Sequence, residues 1–530
     1  MKKYIVKSIS LLLCVLLLAA CSSNKVDSAA YLGVIPSDAM VVSKIEIANL
    51  IEKSDFQNNT FVKVEFEKAI AELPAKQKGM LKEFFADPLA FGIDLDAPVY
   101  AAVVNVEPVK VVVTAKMNDV SVFEDALFAF AEDNLETVAK DGMTYVETDE
   151  ESVALAYDDN MIVIVVDEYY ADVQSCLKLA PNKMAVNDEV FAPLFANDDD
   201  ASCIVNYEPL VQYMIRERMI EKEMIPLVAM MKGNVVLCSL DFEDGYMEMK
   251  STQNLPEEYY ALLKDFMKKS TRRHYSYIPG NSFAVMGYNF NFSQLYSLVE
   301  TADLQKELMK YGINEEVAKG FLAALSGDYT AAAWINGETM EDAQFMAAVD
   351  CSDRSLFDLL VAYVVFEMDA TLVEEDVYAL NVNAKKEYNY YTYEYETVKE
   401  GYDYYLIYKD NAIMLTPENI YNKIKSRGGL KPLRSNVKSN RLIASASNDI
   451  VVDFKALRDV IVQCLRDNVR SSSDEAILFD MVNTIDNITI DTGIDEYTLR
   501  VNTANPNINS LKYVLDKFIS SAVRNKRHCY

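Results

Sequence analysis

The stretch MTYVETDEESVALAYDDNMIVIVV, residues 143–166, indicates the fold class. It contains three runs of strand length that are rich in apolar and β-branched residues, at Met143–Thr148, Val153–Tyr157 and Met161–Val166. The sequence Asp-Asp-Asn at 158–160 is typical of a tight turn between the last two runs. Short strands joined in this way predict an antiparallel sheet, because parallel strands need long crossover connections.

Helical patterns alternate with these strands. Val109–Met117 is rich in β-branched residues, and Asn118 or Asp119 can cap a following helix. We also predict a helix over 168–179, a strand and helix from Cys203, a hairpin over 235–251 around Asp244-Gly245, and a last helix that Pro256 opens. Strands in hairpins mixed with helices predict an α+β fold, with largely antiparallel sheets packed by helices.

Short patterns recur in the same order in the two halves of the chain. The opening Val34–Ala39 recurs at Tyr277–Ser282, so that Pro36 and Pro279 lie 243 positions apart. Four further pairs follow at similar separations: Asp119–Phe123 with Asp353–Phe357, Asp158–Ile162 with Lys409–Ile413, Val205–Tyr207 with Val452–Phe454, and Met249–Lys250 with Leu499–Arg500. The shared order predicts two tandem, internally duplicated lobes.

These patterns divide the chain into five segments. We predict a lipoprotein signal peptide at 1–21, a polar tether at 22–30, a first α+β repeat at 31–267, a basic linker at 268–274 and a second α+β repeat at 275–530. A basic docking patch is the alternative for 268–274, although a short charge run is more often a connector.

The N-terminus has the layout of a bacterial lipoprotein signal. Three lysines precede an apolar run at 9–18, and the small residues Ala19-Ala20 precede Cys21. Cys21 is therefore the predicted lipidation site and the new N-terminus, and each acyl CH₂ adds roughly 0.8 kcal/mol of membrane affinity. No other apolar run has the length of a membrane-spanning helix, so the lipid is the predicted anchor.

The composition limits the partners that this chain can have. The formal net charge is −30, which disfavours nucleic acid and anionic lipid because both would be repelled. Cysteines beyond Cys21 are scattered without CxxC spacing, at 176, 203, 238, 351, 464 and 529, which favours buried free thiols and leaves any disulfide pairing open.

Catalytic and metal-binding motifs are missing from the sequence. The two histidines, His274 and His528, lie next to basic residues, a pattern more typical of a solvated histidine than of an oriented base. The chain has no HExxH helix, no Gly-x-Ser-x-Gly elbow, no phosphate-binding loop and no EF-hand, so we expect no catalytic residue, no metal site and no cofactor.

Acidic clusters keep one enzymatic alternative open. The densest are Asp94 with Asp96, the run 198–200 and the run 374–376. Two carboxylates at a suitable separation cleave glycosides, although exposed turns are the simpler interpretation of such clusters in an acidic chain.

Tyrosines crowd the segment 388–408. Tyr391, Tyr393 and Tyr395 alternate with polar residues, which predicts a strand with a row of phenol rings on one face. We predict a recognition surface for a protein or glycan at Tyr391, Tyr393, Tyr395, Tyr402 and Tyr404. The structural alternative is a cross-strand tyrosine ladder that stiffens a hairpin.

After the signal and the polar tether, the folded part opens with Ile35-Pro36-Ser37-Asp38-Ala39. A strand and the helix start Asn49-Leu50-Ile51 follow. This order resembles an uncharacterised family of Bacteroidales envelope lipoproteins, a domain of unknown function. The resemblance implies an outer-membrane lipoprotein and brings no catalytic residues. Ser22 does not resemble an inner-membrane retention signal, and Ser22–Lys25 lacks an acidic surface-export tag. The periplasmic face is therefore favoured over the cell surface.

Together these features predict a lipid-anchored envelope protein with a non-catalytic binding or structural-interaction role. Its expected partners are the membrane, through the lipid, and a protein or glycan. A glycan-directed hydrolase that uses paired carboxylates is the alternative.

Overall fold

The computed structural model shows an α+β protein built on antiparallel sheet. It describes residues 30–71, 73–86, 91–130, 136–147, 152–220, 225, 228, 232–296, 314–337, 342–368, 370–380, 386–389, 394–397, 403–425, 449–455, 457–458 and 482–517. Within these residues, no helix is both long enough and apolar enough to span a membrane.

The chain forms two compact units. The first takes the described residues within 1–219, 231–256 and 502–530, and the second takes those within 220–230 and 257–501. Residues 268–274, the predicted linker, belong to the second unit. The boundaries of the tandem repeats stay a prediction.

The described residues of the first unit form ten strands, all in antiparallel pairs. Their bounds are β1 (Val41–Ile45), β2 (Val99–Val106), β3 (Val109–Lys116), β4 (Glu136–Lys140), β5 (Met143–Glu147), β6 (Val153–Tyr157), β7 (Met161–Asp167), β8 (Ala201–Asn206), β9 (Val235–Glu243) and β10 (Tyr246–Asn254). The pairings give the order β4-β5-β6-β7-β3-β2-β1-β8-β9-β10.

Both faces of the central strands in this sheet are buried. On β7, Ile162 and Ile164 belong to one core cluster, whereas Val163 and Val165 belong to another. Successive side chains of a strand point to opposite faces, so an unbroken apolar run is what a strand covered on both sides requires.

Helices of the first unit cover these faces. They are α1 (Ile47–Ser54), α2 (Thr60–Ala69), α3 (Ala75–Ala86), α4 (Val120–Phe130), α5 (Gln174–Leu177), α6 (Ala192–Phe195) and α7 (Tyr207–Arg216), with 3₁₀-helices at Ala30–Val34, Pro181–Lys183 and Ala185–Asn187. The side chain of Asp119 accepts a hydrogen bond from the Val122 backbone N–H (3.1 Å) at the start of α4. Asn206 caps α7 in the same way through Glu208 N–H.

The second unit contains thirteen described strands. Their bounds are β11 (Met267–Lys268), β12 (Ser282–Phe290), β13 (Gly327–Ile335), β14 (Ala343–Asp350), β15 (Thr371–Glu374), β16 (Val377–Leu380), β17 (Lys386–Asn389), β18 (Glu394–Thr397), β19 (Tyr404–Lys409), β20 (Ala412–Pro417), β21 (Ile450–Asp453), β22 (Ile485–Thr492) and β23 (Glu496–Thr503). The end of β23 belongs to the first unit, which resumes at residue 502.

The strand order of the second unit follows the plan of the first. Antiparallel pairings give β15-β16-β19-β20-β14-β13-β12-β21-β22, and β17 pairs with β18 as a separate hairpin. In the first unit, β1 lies between β2 and β8. In the second unit, β12 lies between β13 and β21. β8 and β21 each begin more than 150 residues after the strand that they flank. The duplication of the two lobes stays a prediction.

The helices of the second unit are α8 (Glu257–Phe266), α9 (Glu315–Ala324), α10 (Arg354–Met368) and α11 (Glu418–Lys425), with 3₁₀-helices at Arg273–Tyr277 and Phe292–Gln294. Phe357 and Val361 of α10 pack against Leu406 of β19. A second cluster holds the buried Trp334 with residues of β14, β20 and α11.

The elements predicted from local patterns between residues 109 and 267 form as predicted, with one exception. The segment 168–179, predicted as a helix, is helical only at Gln174–Leu177. The carboxylate of Asp167 accepts hydrogen bonds from the backbone N–H groups of Tyr169 (3.0 Å) and Tyr170 (3.3 Å) and holds a turn there. An Asp side chain that bonds the following backbone competes with helix formation.

Candidate functional site

A cavity of about 490 Å³ opens beside the sheet of the second unit. It is lined by β11 and the residue after it, by the end of β12, by Asp449 and by the turn between β22 and β23: Met267, Lys268, Lys269, Tyr288, Asn289, Phe290, Asp449, Asp491, Thr492, Gly493, Ile494, Glu496 and Thr498. A cavity of this size that combines apolar and polar groups is the default candidate for a ligand site.

Aromatic rings form one wall of this cavity. Tyr288 and Phe290 lie two positions apart on β12, so their side chains share a face of the sheet. Their ring centroids are 5.5 Å apart with an interplanar angle of 16°, and Phe266 stacks on Phe290 at 5.2 Å. Tyr329, which lies directly opposite Tyr288 on β13, also packs on Phe290, with ring centroids 5.6 Å apart.

Asp449 is fixed at a second wall by three backbone-directed hydrogen bonds. Its Oδ2 accepts from the Thr492 N–H (2.7 Å), its own N–H donates to the Ile490 carbonyl (2.9 Å), and its carbonyl accepts from the Gly287 N–H (2.8 Å). Burial raises the pKa of Asp449, and the nearby charge of Asp491 adds to the rise. The hydrogen bonds from Thr492 and the charge of Arg272 oppose it.

Asp491 gives the cavity a second carboxyl group with a raised pKa. Burial is the cause, and the positive charges of Lys269 and Arg272 oppose it. Burial also raises the pKa of the Tyr288 phenol, while a hydrogen bond with the Thr492 side chain opposes that rise. Several titratable groups with shifted pKa values in one cavity favour a functional role.

The charges around the cavity are mixed in sign. Lys268 donates from Nζ to the Lys264 carbonyl (3.0 Å) and approaches Asp265 Oδ1 (3.3 Å). The remaining lining charges are Lys269, Asp449, Asp491 and Glu496. The arrangement therefore offers hydrogen-bond acceptors, donors and ring faces together, which suits a neutral polar ligand better than a strongly charged one.

None of these residues was among the predicted site residues. Tyr288 and Phe290 carry the signal that could have found them, because the sequence YNFNF at 288–292 places aromatic residues at strand spacing. Asp449 and Asp491 carry no such signal, because they stand alone and come together only when β21 pairs with β22.

The predicted tyrosine surface is only partly covered by the described residues. Tyr391, Tyr393 and Tyr402 lie outside them. Tyr395 lies on β18 directly opposite Tyr388 on β17, in the hairpin register of a cross-strand pair. The binding role of these residues stays a prediction.

Tyr404 requires a correction. It is only 8% exposed and belongs to the core cluster packed by α10. Its ring lies 4.8 Å from that of Phe345, and its hydroxyl accepts a hydrogen bond from the Phe345 N–H (3.3 Å). Tyr404 faces the core because strand alternation on β19 places it beside Leu406, so it is not a surface binding residue.

The acidic run 198–200 is not simply an exposed turn. Asp198 is exposed, but Asp200 is fully buried and accepts hydrogen bonds from Lys53 Nζ (2.8 Å) and the Phe242 N–H (2.8 Å). Lys53 also contacts Asp241 Oδ1 (2.7 Å) and approaches Glu243 Oε1 (3.4 Å). Burial raises the pKa of Asp200 to about 6, although Lys53 opposes the rise. We interpret this cluster as a structural ion-pair network.

His274, predicted to be solvated, is 1% exposed, and its ring contacts the carboxylate of Asp350. Its neighbours in sequence are basic, whereas the partner of its ring in the fold is a carboxylate. Cys21 and His528 lie outside the described residues. In the part of the chain that the structure covers, no group of three or more His, Cys, Asp or Glu side chains has the geometry to hold a metal ion.

Comparison with protein families accounts for most of the chain. A family described as a domain of unknown function (DUF4836) matches residues 31–502. The chain belongs to this family. No curated protein matches it. The family match begins at residue 31, directly after the predicted signal and tether.

Among solved structures, crystal forms of the protein TP0453 match. Form III is 12% identical, with 44% of this chain and 81% of that chain covered and a TM-score of 0.25. Form IV is 12% identical, with 46% and 88% covered and the same TM-score of 0.25. A structural similarity with so low a TM-score does not indicate the function of this chain.

Proposed function

We propose that this protein is a lipid-anchored binding protein of the bacterial cell envelope, and that the cavity of its second unit binds a neutral carbohydrate without cleaving it. The observation that carries the proposal is the position of the Tyr288 and Phe290 rings beside the carboxyl groups of Asp449 and Asp491 in one cavity.

Carbohydrates match both halves of this arrangement. A sugar ring presents C–H groups that pack on an aromatic face, as amphipathic contacts with tyrosine and phenylalanine require. Its hydroxyls donate to carboxylate oxygens and accept from protonated carboxyl groups. Burial raises the pKa of both Asp449 and Asp491, so each carboxyl group holds its proton to a higher pH than an exposed aspartate does.

The proposed location is the outer membrane, with the periplasmic face favoured. The signal-like segment 1–21 ends in the predicted acylated Cys21, and Ser22 follows it. The family match starts at residue 31, which leaves residues 22–30 as the proposed tether between the lipid and the folded domain. This placement supports the order of lipid, tether and binding domain.

A glycoside hydrolase is the second candidate. The specific observation in its favour is that two carboxyl groups with raised pKa values line the same cavity, since glycoside cleavage requires one protonated acid and one base or nucleophile. We favour binding because the sequence carries no hydrolase motif.

Isothermal titration of the mature protein with neutral oligosaccharides tests the proposal. We expect the Kd to rise by tenfold or more in Asp449→Asn and in Phe290→Ala. The first variant removes a carboxyl group that bonds sugar hydroxyls, and the second removes a ring on which the sugar packs. Phe366→Ala is the matched control, since Phe366 is 83% exposed and lies on α10. Circular dichroism checks that each variant is folded.

Two outcomes would decide against carbohydrate binding. One is the absence of heat from every neutral glycan tested at millimolar concentration, and the other is equal affinity in Asp449→Asn and the unaltered protein. Product release detected by mass spectrometry after incubation would instead favour the hydrolase. Partition of Cys21→Ser into the aqueous phase of a detergent extraction, with the unaltered protein in the detergent phase, tests the lipid anchor separately.

A further inference from the structure

Two cysteines face each other across neighbouring strands of the first unit. Cys203 on β8 is in register with Cys238 on β9 in an antiparallel pair. Both are free thiols in the structure, and both are half-buried. We infer that Cys203 and Cys238 form a site of thiol–disulfide exchange, which closes to a cross-strand disulfide when a disulfide-donating partner oxidises it.

The strand register brings the two residues within bonding range. Directly opposed residues of an antiparallel pair have Cα atoms about 4.5 or 5.5 Å apart, depending on whether the pair is hydrogen-bonded. Both values lie within the Cα separations of about 4.4–6.8 Å that natural disulfides span. Opposed side chains also share a face of the sheet, so the two sulfurs point to the same side.

The other described cysteines have a different environment. Cys176 and Cys351 are both buried, and burial raises the pKa of each thiol. A buried thiol with a raised pKa is poorly reactive. Partial exposure of Cys203 and Cys238 is therefore a distinguishing property within the described part of the chain.

Hydroxyl groups flank the thiol pair on the same row of the sheet. Ser43 on β1 is in register with Cys203, and Ser251 on β10 is in register with Cys238. The Ser251 hydroxyl lies 3.7 Å from the Cys238 sulfur. Ser43 and Ser251 therefore flank the two sulfurs across the strands, while Val205 and Leu240 lie on the same face along the strands.

The interaction between the two thiols favours one thiolate. The neighbouring Cys203 thiol lowers the pKa of Cys238 to about 6, against the effect of burial, with a further contribution from Ser251. The same interaction raises the pKa of Cys203. Since the thiolate is the nucleophile in exchange, Cys238 attacks first and Cys203 resolves.

The reaction balances with a disulfide as the oxidant. The Cys238 thiolate attacks one sulfur of a disulfide RSSR, forms a mixed disulfide and releases one thiolate RS⁻. Cys203 then loses its proton, attacks the Cys238 sulfur and releases the second RS⁻. The two cysteines lose two hydrogen atoms in total, and RSSR is reduced to two RSH. An envelope that maintains disulfides supplies such an oxidant.

The test uses the full mature chain and oxidised glutathione as the probe. After oxidation and acid quenching, free thiols are blocked with N-ethylmaleimide and the digest is mapped by mass spectrometry. We expect a linked peptide pair that contains Cys203 and Cys238 and that dithiothreitol separates. In Cys203→Ser, Cys238 should accumulate as its mixed disulfide with glutathione, whereas Cys176→Ser, the matched control, should keep the linked pair.

The inference is overturned if both Cys203 and Cys238 remain open to N-ethylmaleimide after oxidation that modifies other thiols. It is also overturned if either is linked to a different cysteine, or if each carries a separate glutathione in the unaltered chain. Mapping the unaltered chain needs no variant, so a variant that fails to fold does not remove the test. No result of it depends on carbohydrate binding by the second unit.

Discussion

Nε2 of His274 lies 2.9 Å from Oδ1 of Asp350, and the histidine ring is almost completely buried. Asp350 also accepts a hydrogen bond from Arg273 Nη1 (3.1 Å), and its Oδ2 accepts from the Asp328 N–H (2.9 Å). A single carboxylate on β14 therefore joins the 3₁₀-helix at Arg273–Tyr277 to the start of β13. A buried polar network of this kind is stabilising only while every member keeps its partner.

His274→Ala should destabilise the protein by about 2–4 kcal/mol, because it leaves a cavity and removes a partner of Asp350. Urea unfolding followed by circular dichroism at pH 7 measures the change. Tyr363→Ala removes an exposed ring from α10 and should cost about 0.5 kcal/mol or less. An equal loss of unfolding free energy in the two variants would show that the contact between His274 and Asp350 does not stabilise the fold.

His274 also shows why sequence patterns predicted the fold better than the site. The turn at 158–160 and the hairpin at Asp244-Gly245 depend on neighbouring residues, and both form as predicted. The environment of His274 depends on Asp350, which lies 76 positions away. No local pattern reveals a partner at that distance, so a buried residue was interpreted as solvated.

Asp200 and the cavity residues also have partners that are distant in sequence. Lys53 and Asp200 are separated by 147 positions and meet only because β8 pairs with β1, the strand that α1 follows. Asp449 reaches the backbone of Thr492 across the β21–β22 pair. Fold class follows from the periodicity within each segment, whereas a site depends on how distant segments pair.

Gly245→Ala should destabilise the first unit more than Gly142→Ala does. Both glycines have positive φ, +81° and +83°, so both substitutions incur backbone strain of about 1–2 kcal/mol. A Cβ at Gly245 would also lie 2.6 Å from the Pro506 Cα, whereas a Cβ at Gly142 meets nothing within 4 Å.

The extra cost at Gly245 should be about 1–3 kcal/mol, as in other overpacked sites. The segment after β23 cannot move away without losing the hydrogen bonds from Gly245 N–H to Ile508 (3.0 Å) and from Thr503 N–H to Gly245 (2.7 Å). Thermal unfolding of the two variants in parallel measures the difference. Equal melting temperatures would mean that the C-terminal segment does not dock on this hairpin in solution.

Lys53→Met should destabilise the protein by about 2–3 kcal/mol at pH 7.5, because it leaves the buried Asp200 without its cation. The pKa of Asp200 is about 6 in the folded protein, above its value in an unfolded chain. The folded state therefore binds this proton more tightly, and the stability that Asp200 contributes falls as pH rises through the interval between those two values. Without Lys53 the pKa should rise further, so the defect should shrink as the pH is lowered to 5.

Chemical denaturation at pH 7.5 and pH 5 checks this prediction. Lys82→Met is the control, since it removes an exposed ion pair with Glu67 (2.9 Å) that should contribute under about 0.5 kcal/mol at either pH. Adding Asp200→Asn to Lys53→Met should recover part of the loss at pH 7.5. A defect of the same size at both pH values would rule out the charge of Asp200 as its cause.

Asp449→Asn should become more stable relative to the unaltered protein as pH rises from 4 to 7. Burial raises the pKa of Asp449, so the folded state holds this proton more tightly than the unfolded chain, and ionisation above the ordinary aspartate range opposes folding. Asparagine cannot ionise and escapes that penalty, at the expense of ligand affinity. Asp353→Asn should show no such gain, because hydrogen bonds from Ser355 lower the pKa of Asp353, so that this carboxyl group is already ionised in both states over most of this pH range. Urea midpoints of the three proteins at pH 4, 5.5 and 7 give both slopes, and parallel slopes for the two variants would mean that the cavity does not hold Asp449 in a desolvated state.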